Sequence, residues 1–263
     1  NGKYKRNTLS KSKDENFPIE VVDGLYLHKD YRDKIYKQIK KSPLSVNKNY
    51  VYSGLSFDMY PEVVEQLSGE NYEKYIQNNF YAPLGANTIT YNPLQKFNRD
   101  RIIPTEVDTF FRMSPLHGTV HDEGAAMMRG VSSNAGLFGT TQDLAKIMQM
   151  YLWMGVYGGE RYISKATMEK FTSCHYCQEG NRRGLAFDKP VLENKQAGST
   201  AIDASEHSFG HSGYTGTVAW ADPDTGILFL FMSNRVYPTR ENRKLYQLNV
   251  RPAMHQIIYD FLK

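Results

Sequence analysis

Two short pieces of this chain hold residue types that catalysis draws on. Tyr52-Ser53-Gly54 sets a phenol and a hydroxyl just ahead of a helical stretch. His211-Ser212-Gly213 sets an imidazole and a hydroxyl before Tyr214-Thr215-Gly216 and a strand. Tyr, Ser and His are common general acids, bases and nucleophiles. Alone, each tripeptide carries little weight, because such pieces occur by chance in chains of this length. His117 and His121 stand four apart beside Asp122, the outline of a metal site. Pro115 and Gly118 argue against one helical face, so the expectation there is structural. Cys174-His175-Tyr176-Cys177 lacks the second pair that a four-cysteine zinc site needs. It follows a short helix rather than opening one, unlike a thioredoxin-type redox pair. Two loop cysteines are expected, bridged if the compartment is oxidising. Asn234-Arg235 has two readings: a contact to a substrate carboxylate, or a tie on a loop. Trp220 reads as core rather than as a sugar platform.

Several elements must position these residues. Asp30 to Lys41 reads as an amphipathic helix, with Tyr31, Ile35 and Ile39 at helical spacing and Ser42-Pro43 as its stop. A helix is expected to start at Pro61 and run to Ser68. Another is expected from Asn71 to Phe80, ended by Pro83-Leu84-Gly85. Residues 86–139 read as long loops. Thr140 to Met154 is the clearest helix: Thr140 caps it, and Leu144, Ile147, Met148, Tyr151 and Leu152 share a face. Ser164 to Phe171 is a shorter capped helix. Gly216 to Ala221 and Ile227 to Ser233 read as strands joined by Asp222-Pro223-Asp224-Thr225-Gly226. Pro252 to Leu262 closes the chain as a helix. Helices in the middle, antiparallel strands late and a terminal helix indicate an α+β domain.

The 263 residues suffice for one sizeable core, and 40% hydrophobic and 23% charged residues are ordinary for a globular protein. A net charge of +4 is too small to argue for nucleic acid. It is uneven, however: residues 1–48 hold twelve Lys and Arg against six Asp and Glu. Residues 1–16 are polar and expected to be loose. No apolar run is long enough to span a membrane. The chain opens on Asn1 rather than Met, so the expectation is a piece of a longer protein.

The order of the pieces adds what each lacks alone. Tyr52-Ser53 precedes Glu65-Gln66-Leu67-Ser68-Gly69, then Tyr72-Glu73-Lys74-Tyr75-Ile76 and Pro83-Leu84-Gly85. Val120-His121-Asp122-Glu123, Asn134-Ala135-Gly136-Leu137-Phe138-Gly139-Thr140 and Asp143-Leu144-Ala145-Lys146 follow. Phe209-Gly210-His211-Ser212-Gly213-Tyr214-Thr215-Gly216 comes last. In that order the chain, from about Tyr50 onward, resembles the serine β-lactamases of class C, the DD-peptidases and the related esterases. Within them it looks closest to the β-lactamase-like domain at the end of some bacterial β-N-acetylglucosaminidases. The resemblance implies a β-lactamase/transpeptidase-like fold, an antiparallel sheet flanked by helices, without its N-terminal portion. It divides the chain into a loop and helix insertion over 1–49 and the C-terminal part of the domain over 50–263.

The resemblance also implies a mechanism. A serine followed three residues later by a lysine attacks an acyl carbon and forms an acyl-enzyme. Tyr52 matches the tyrosine that passes the proton. His211-Ser212-Gly213 matches the strand that lines the site, with Gly213 allowing close approach of substrate. The N–H of Tyr214 would be one half of the oxyanion hole. No cofactor or metal is implied. Gly54 departs from the family, where Asn or Asp at that place helps hold the lysine and substrate. Ser10-Lys11-Ser12-Lys13 and Ser45-Val46-Asn47-Lys48 have the nucleophile's letters, but both lie in polar segments close to Tyr52. The true pair is expected upstream of residue 1. Two functions remain: part of a serine hydrolase acting on a peptide, amide or ester, inactive as this piece, or a non-catalytic module that binds wall peptides or supports a covalently linked glycosidase. The expected setting is the bacterial cell envelope, periplasmic or secreted. Without its front the 216–233 hairpin is expected to expose a sheet edge, leaving the piece marginally stable or self-associating.

Overall fold

The computed structural model describes residues 4–5, 7–46 and 50–263. The chain forms two compact units, Asn1–Ile76 with Thr90–Phe138 and Tyr237–Thr239, and Gln77–Ile89 with Gly139–Val236 and Arg240–Lys263.

The first unit opens with a small antiparallel sheet of β1 (Leu9–Ser10), β2 (Ile19–Val22) and β3 (Leu25–Leu27), in the order β1-β3-β2. Part of the segment expected to be loose is therefore a strand, with Leu9 opposite Leu27. The turn between β2 and β3 is Asp23-Gly24, with Gly24 at φ +71° and Val22 opposite Leu25. That dipeptide between apolar residues is a hairpin signal. Val21, Val22, Leu25 and Leu27 bury their side chains with Leu116 and Met127. Helix α1 (Tyr31–Lys41) lays Tyr31 and Ile35 on this cluster, as its spacing predicted. Ser42 is extended at ψ 137°, the conformation a residue before proline prefers.

Helix α2 (Leu55–Ser68) starts six residues before the expected Pro61 and carries that proline inside. A proline in a helix leaves the carbonyl four residues back without its N–H partner. Here that carbonyl belongs to Phe57, and the Ser133 hydroxyl donates to it instead. A residue distant in sequence thus lifts a local penalty. Helix α3 (Tyr72–Ile76) is shorter than expected. The run passes into a wide π-type turn at Gln77–Tyr81, which belongs to the second unit.

The stretch expected to be long loops holds a hairpin of β4 (Pro104–Asp108) and β5 (Ser114–His117), then helix α4 (Glu123–Met127). Asp108 ties the connection. Its carboxylate accepts the backbone N–H groups of Phe110, Phe111 and Arg112 at 2.8–2.9 Å and pairs with the Arg112 Nε at 2.8 Å. Both side chains are fully buried. The Arg112 guanidinium donates onward to the carbonyls of Val120 and His121, 2.6 Å each. Burial pushes the Asp108 carboxyl up, but the Phe111 N–H, the guanidinium and the other two N–H groups outweigh it and hold it at about 2.

The second unit is built on helix α5 (Thr141–Leu152), capped by Thr140, whose hydroxyl accepts from the Asp143 N–H. A two-stranded ribbon of β6 (Val156–Tyr157) and β7 (Glu160–Arg161) and helix α6 (Lys165–Thr172), capped by Ser164, follow. The main sheet has β8 (Phe209–Ser212), β9 (Val218–Asp222) and β10 (Ile227–Phe231) in the antiparallel order β10-β9-β8. The expected hairpin is thus present. Met148 and Leu152 of α5 pack against Phe209 and Ala221, with Leu228 and Leu230 beside them. Ile227 packs with Tyr259, while Val218, Trp220 and Phe229 pack with Ile258, all against α8 (Val250–Asp260), which follows the short α7 (Lys244–Gln247). Alternate residues of the strands thus bury both faces of the sheet. Trp220, 2% exposed, is core as expected.

Candidate active site

Tyr52 stands in the first unit, in irregular chain just before α2, and is 65% exposed. The Ser53 hydroxyl accepts the Leu55 N–H at 3.3 Å, steering the entry into the helix. Gly54 is the last residue before α2. A Cβ placed there would lie 3.1 Å from the Nδ2 of Asn134. The space beside Gly54 therefore holds an amide brought in from another segment. Three contacts anchor that segment. Ser132 donates its hydroxyl to the Asp58 carboxylate at 2.8 Å. The Tyr91 hydroxyl donates to the Ser132 carbonyl at 2.8 Å, and Ser133 holds Phe57 as described. Burial pushes the Asp58 carboxyl above its ordinary value, against the Ser132 hydrogen bond. In the sequence Asn134 is one member of an ordered motif eighty residues from Gly54, and only folding brings the two together.

His211, Ser212, Gly213 and Tyr214 lie together in the second unit, on the end of β8 and the turn after it. The Gly213 N–H donates to the Thr217 carbonyl at 2.8 Å, and the Gly216 N–H to the Gly213 carbonyl at 3.0 Å. Gly216 closes the turn at φ +101°, where a side chain is strained. A Cβ at Gly213 would come within 2.4 Å of the Thr217 hydroxyl oxygen. The crowding at Gly213 thus comes from Thr217, the residue just before β9.

The His211 ring has partners on both nitrogens. The Arg183 guanidinium lies 3.2 Å from Nε2, and Nδ1 lies 2.8 Å from the Ser212 carbonyl. A guanidinium only donates, so Nε2 accepts and the proton sits on Nδ1, donated to Ser212. Arg183 is held in turn by Asp188 at 3.4 Å, and Arg182 joins the same carboxylate at 2.8 Å. Asp188 also pairs its backbone with Gly210 of β8. Nothing in the polar run 178–183 announced this role for Arg183.

Three further expectations meet their structural counterparts. His117 points its Nε2 at the Ile102 carbonyl, and Asp122 caps α4 by accepting the Ala125 N–H at 2.7 Å. Both act in the architecture, and no group of three His, Cys, Asp or Glu able to hold a metal is present among the described residues. Cys174 and Cys177 are joined as a disulfide. Arg235 ties a loop, donating its Nη1 to the carbonyls of Arg240 and Asn242 at 2.9 and 3.0 Å. Of the two serine–lysine pairs, Ser10 ends β1 rather than opening a helix, and Asn47 and Lys48 lie outside the described residues.

The beta-lactamase family model matches residues 10–251. The chain belongs to the beta-lactamase family. A protein of Escherichia coli O157:H7 named as a D-alanyl-D-alanine carboxypeptidase is 30% identical over 239 residues, 84% of this chain and 54% of that protein. A relative from Salmonella typhi with the same name is 30% identical over 247 residues, 85% of this chain and 56% of its own length. The chain therefore spans about half the length of the curated relatives it matches. Among solved structures, simvastatin synthase from Aspergillus terreus superposes with a TM-score of 0.57 at 17% identity, covering 83% of this chain and 58% of that one. A beta-lactamase from Mycobacterium bovis gives 0.53 at 19%, covering 80% and 63%. These superpositions show the β-lactamase/transpeptidase-like fold. No helix among the described residues is long and apolar enough to cross a membrane.

Proposed function

We propose that this chain is part of a serine hydrolase that works through an acyl-enzyme, and that its substrate is a peptide ending in D-amino acids. The carrying observation is the end of β8. The His211-Ser212 end of β8, flanked by Gly210 and Gly213, leads into a turn that presents the Tyr214 backbone, beside a sheet of the β-lactamase fold. An extended strand edge can pair with a peptide substrate, and a backbone N–H after it can take the developing oxyanion. Tyr52 is the proposed proton carrier. Gly54 argues for weakened chemistry less strongly than the sequence suggested, because the Asn134 amide stands beside it. The carboxypeptidase names of the relatives support the substrate class and a place in the bacterial envelope. An attached glycosidase would serve the same wall polymer, and the intact mass of the full-length gene product tests for one.

Neither serine–lysine pair in the sequence has the context of a nucleophile, so we infer that the 263 residues alone do not turn over substrate. The test is acylation of the full-length gene product by a fluorescent penicillin and by an activated ester, with the labelled peptide located by mass spectrometry. The expected result is one adduct, on a serine at the head of an apolar helix. Absence of labelling by both reagents at any concentration removes the hydrolase reading in favour of a binding module for wall peptides.

A further inference from the structure

We propose that Arg235 is a positioning residue that aims the Tyr214 N–H at the reacting carbonyl oxygen; the proposal rests on the hydrolase reading, in which that N–H is half of the oxyanion hole. The Arg235 guanidinium is gripped between two aromatic rings, 4.6 Å from the Tyr214 ring centre and 4.8 Å from that of Tyr246. Its Nε donates to the Tyr246 hydroxyl at 2.9 Å. Its Nη1 holds the carbonyls of Arg240 and Asn242. Its own backbone N–H donates to the Thr215 carbonyl at 2.9 Å, where the Ser233 hydroxyl also donates at 3.3 Å. The Tyr246 hydroxyl reaches the Tyr214 carbonyl at 3.4 Å. Arg251, over the Tyr246 ring at 4.8 Å, donates to the Gly216 carbonyl at 3.4 Å.

Three successive carbonyls of the turn, at Tyr214, Thr215 and Gly216, thus accept from one cluster. The Gly213 carbonyl accepts from the Gly216 N–H. A peptide unit is planar, so fixing the Gly213 carbonyl fixes the direction of the Tyr214 N–H on the same plane. Arg235 is the member whose guanidinium stacks on the Tyr214 ring while its own main-chain N–H holds the Thr215 carbonyl. A lysine could keep the charge but not the flat stack or the forked donation. An oxyanion donor is effective only when held in place before the charge develops.

This role differs measurably from direct binding of a substrate carboxylate. The experiment compares wild type, Arg235→Lys and Arg235→Gln in the full-length gene product, after circular dichroism shows that each is folded. Acylation is timed with a penicillin, which bears a carboxylate, and with an uncharged activated ester. Positioning predicts that the acylation rate constant falls by a similar factor for both, roughly 10- to 100-fold, with little change in half-saturation. Loss confined to the penicillin and to its half-saturation, or rates within twofold of wild type, overturns the proposal. Hydrogen exchange of the amides of residues 214–216 gives a second readout that needs no catalysis. Exchange at least about tenfold faster in Arg235→Gln supports the bracing, and unchanged exchange overturns it. If the wild type is not acylated by either reagent, the hydrolase reading fails, and exchange alone then decides whether Arg235 holds the turn.

Discussion

His255 is 1% exposed, on the face of α8 that covers the main sheet. Its ring stacks on Phe229 with centres 4.3 Å apart, and its Nδ1 accepts the Ala201 N–H at 3.1 Å. Burial drives the imidazole down from 6.5 to about 4, against the pull of the nearby Asp222 carboxylate. Asp222 stays ionised there: burial raises it, but the Ser205 and Tyr259 hydroxyls, each at 2.6 Å, outweigh that and lower it. The folded state therefore keeps His255 neutral while the unfolded chain takes up a proton. Stability from this group is complete above pH 6.5 and is lost as the pH falls to about 4. Each pH unit across the gap is worth about 1.4 kcal/mol, so the loss reaches about 3 kcal/mol. His255→Phe keeps the flat stack but leaves the Ala201 N–H without its acceptor, which costs about 1–2 kcal/mol at neutral pH. The two proteins should then cross. The variant is the less stable at pH 7.5 and the more stable at pH 4. Urea unfolding followed by fluorescence, to which Trp220 in the same core contributes, reads both curves. Because the comparison is a difference, titrations shared by the two proteins cancel. A gap between the proteins that stays within about 0.5 kcal/mol of constant from pH 7.5 to 4 would refute the reasoning.

Further outcomes follow from the same packing. Arg112→Met strands the buried Asp108 carboxylate and should cost about 3–5 kcal/mol, measured by the urea midpoint. Asp108 itself contributes stability above pH 3.8 that is lost as the pH falls toward about 2, so acid unfolding of the wild type should steepen in that window. Ser133→Ala leaves the Phe57 carbonyl bare and should cost about 1 kcal/mol. In a Pro61→Ala background, where residue 61 regains an N–H for that carbonyl, the same change should cost less; equal costs in the two backgrounds would show that the serine is not filling the proline's gap. Gly136→Ala puts a Cβ 2.4 Å from the Gly130 carbonyl oxygen at φ +111° and should lower stability by about 1–3 kcal/mol, seen as a drop in Tm.

The sequence alone determined what depends on neighbours along the chain. Thr140 and Ser164 cap helices because their hydroxyls reach N–H groups three residues on. Asp222 to Gly226 turns the chain between β9 and β10 because those residues favour a turn. The ordered motifs were enough to place the chain in the right fold and to mark the β8 strand and its Gly213–Tyr214 turn. Other features depend on segments that meet only when folded. Pro61 reads as the start of a helix until Ser133 arrives to satisfy Phe57. Gly54 reads as a missing amide until Asn134 stands beside it. Arg183 is an ordinary surface-type cation in the sequence, yet it meets His211; Arg235 reads as a carboxylate contact or a loop tie, and its stack on Tyr214 shows only in the fold. The strands of the first sheet are only two to four residues long, too short for a period to show. A hydrogen bond or ring contact across tens of residues leaves no spacing to read, so these contacts became visible only in the tertiary structure.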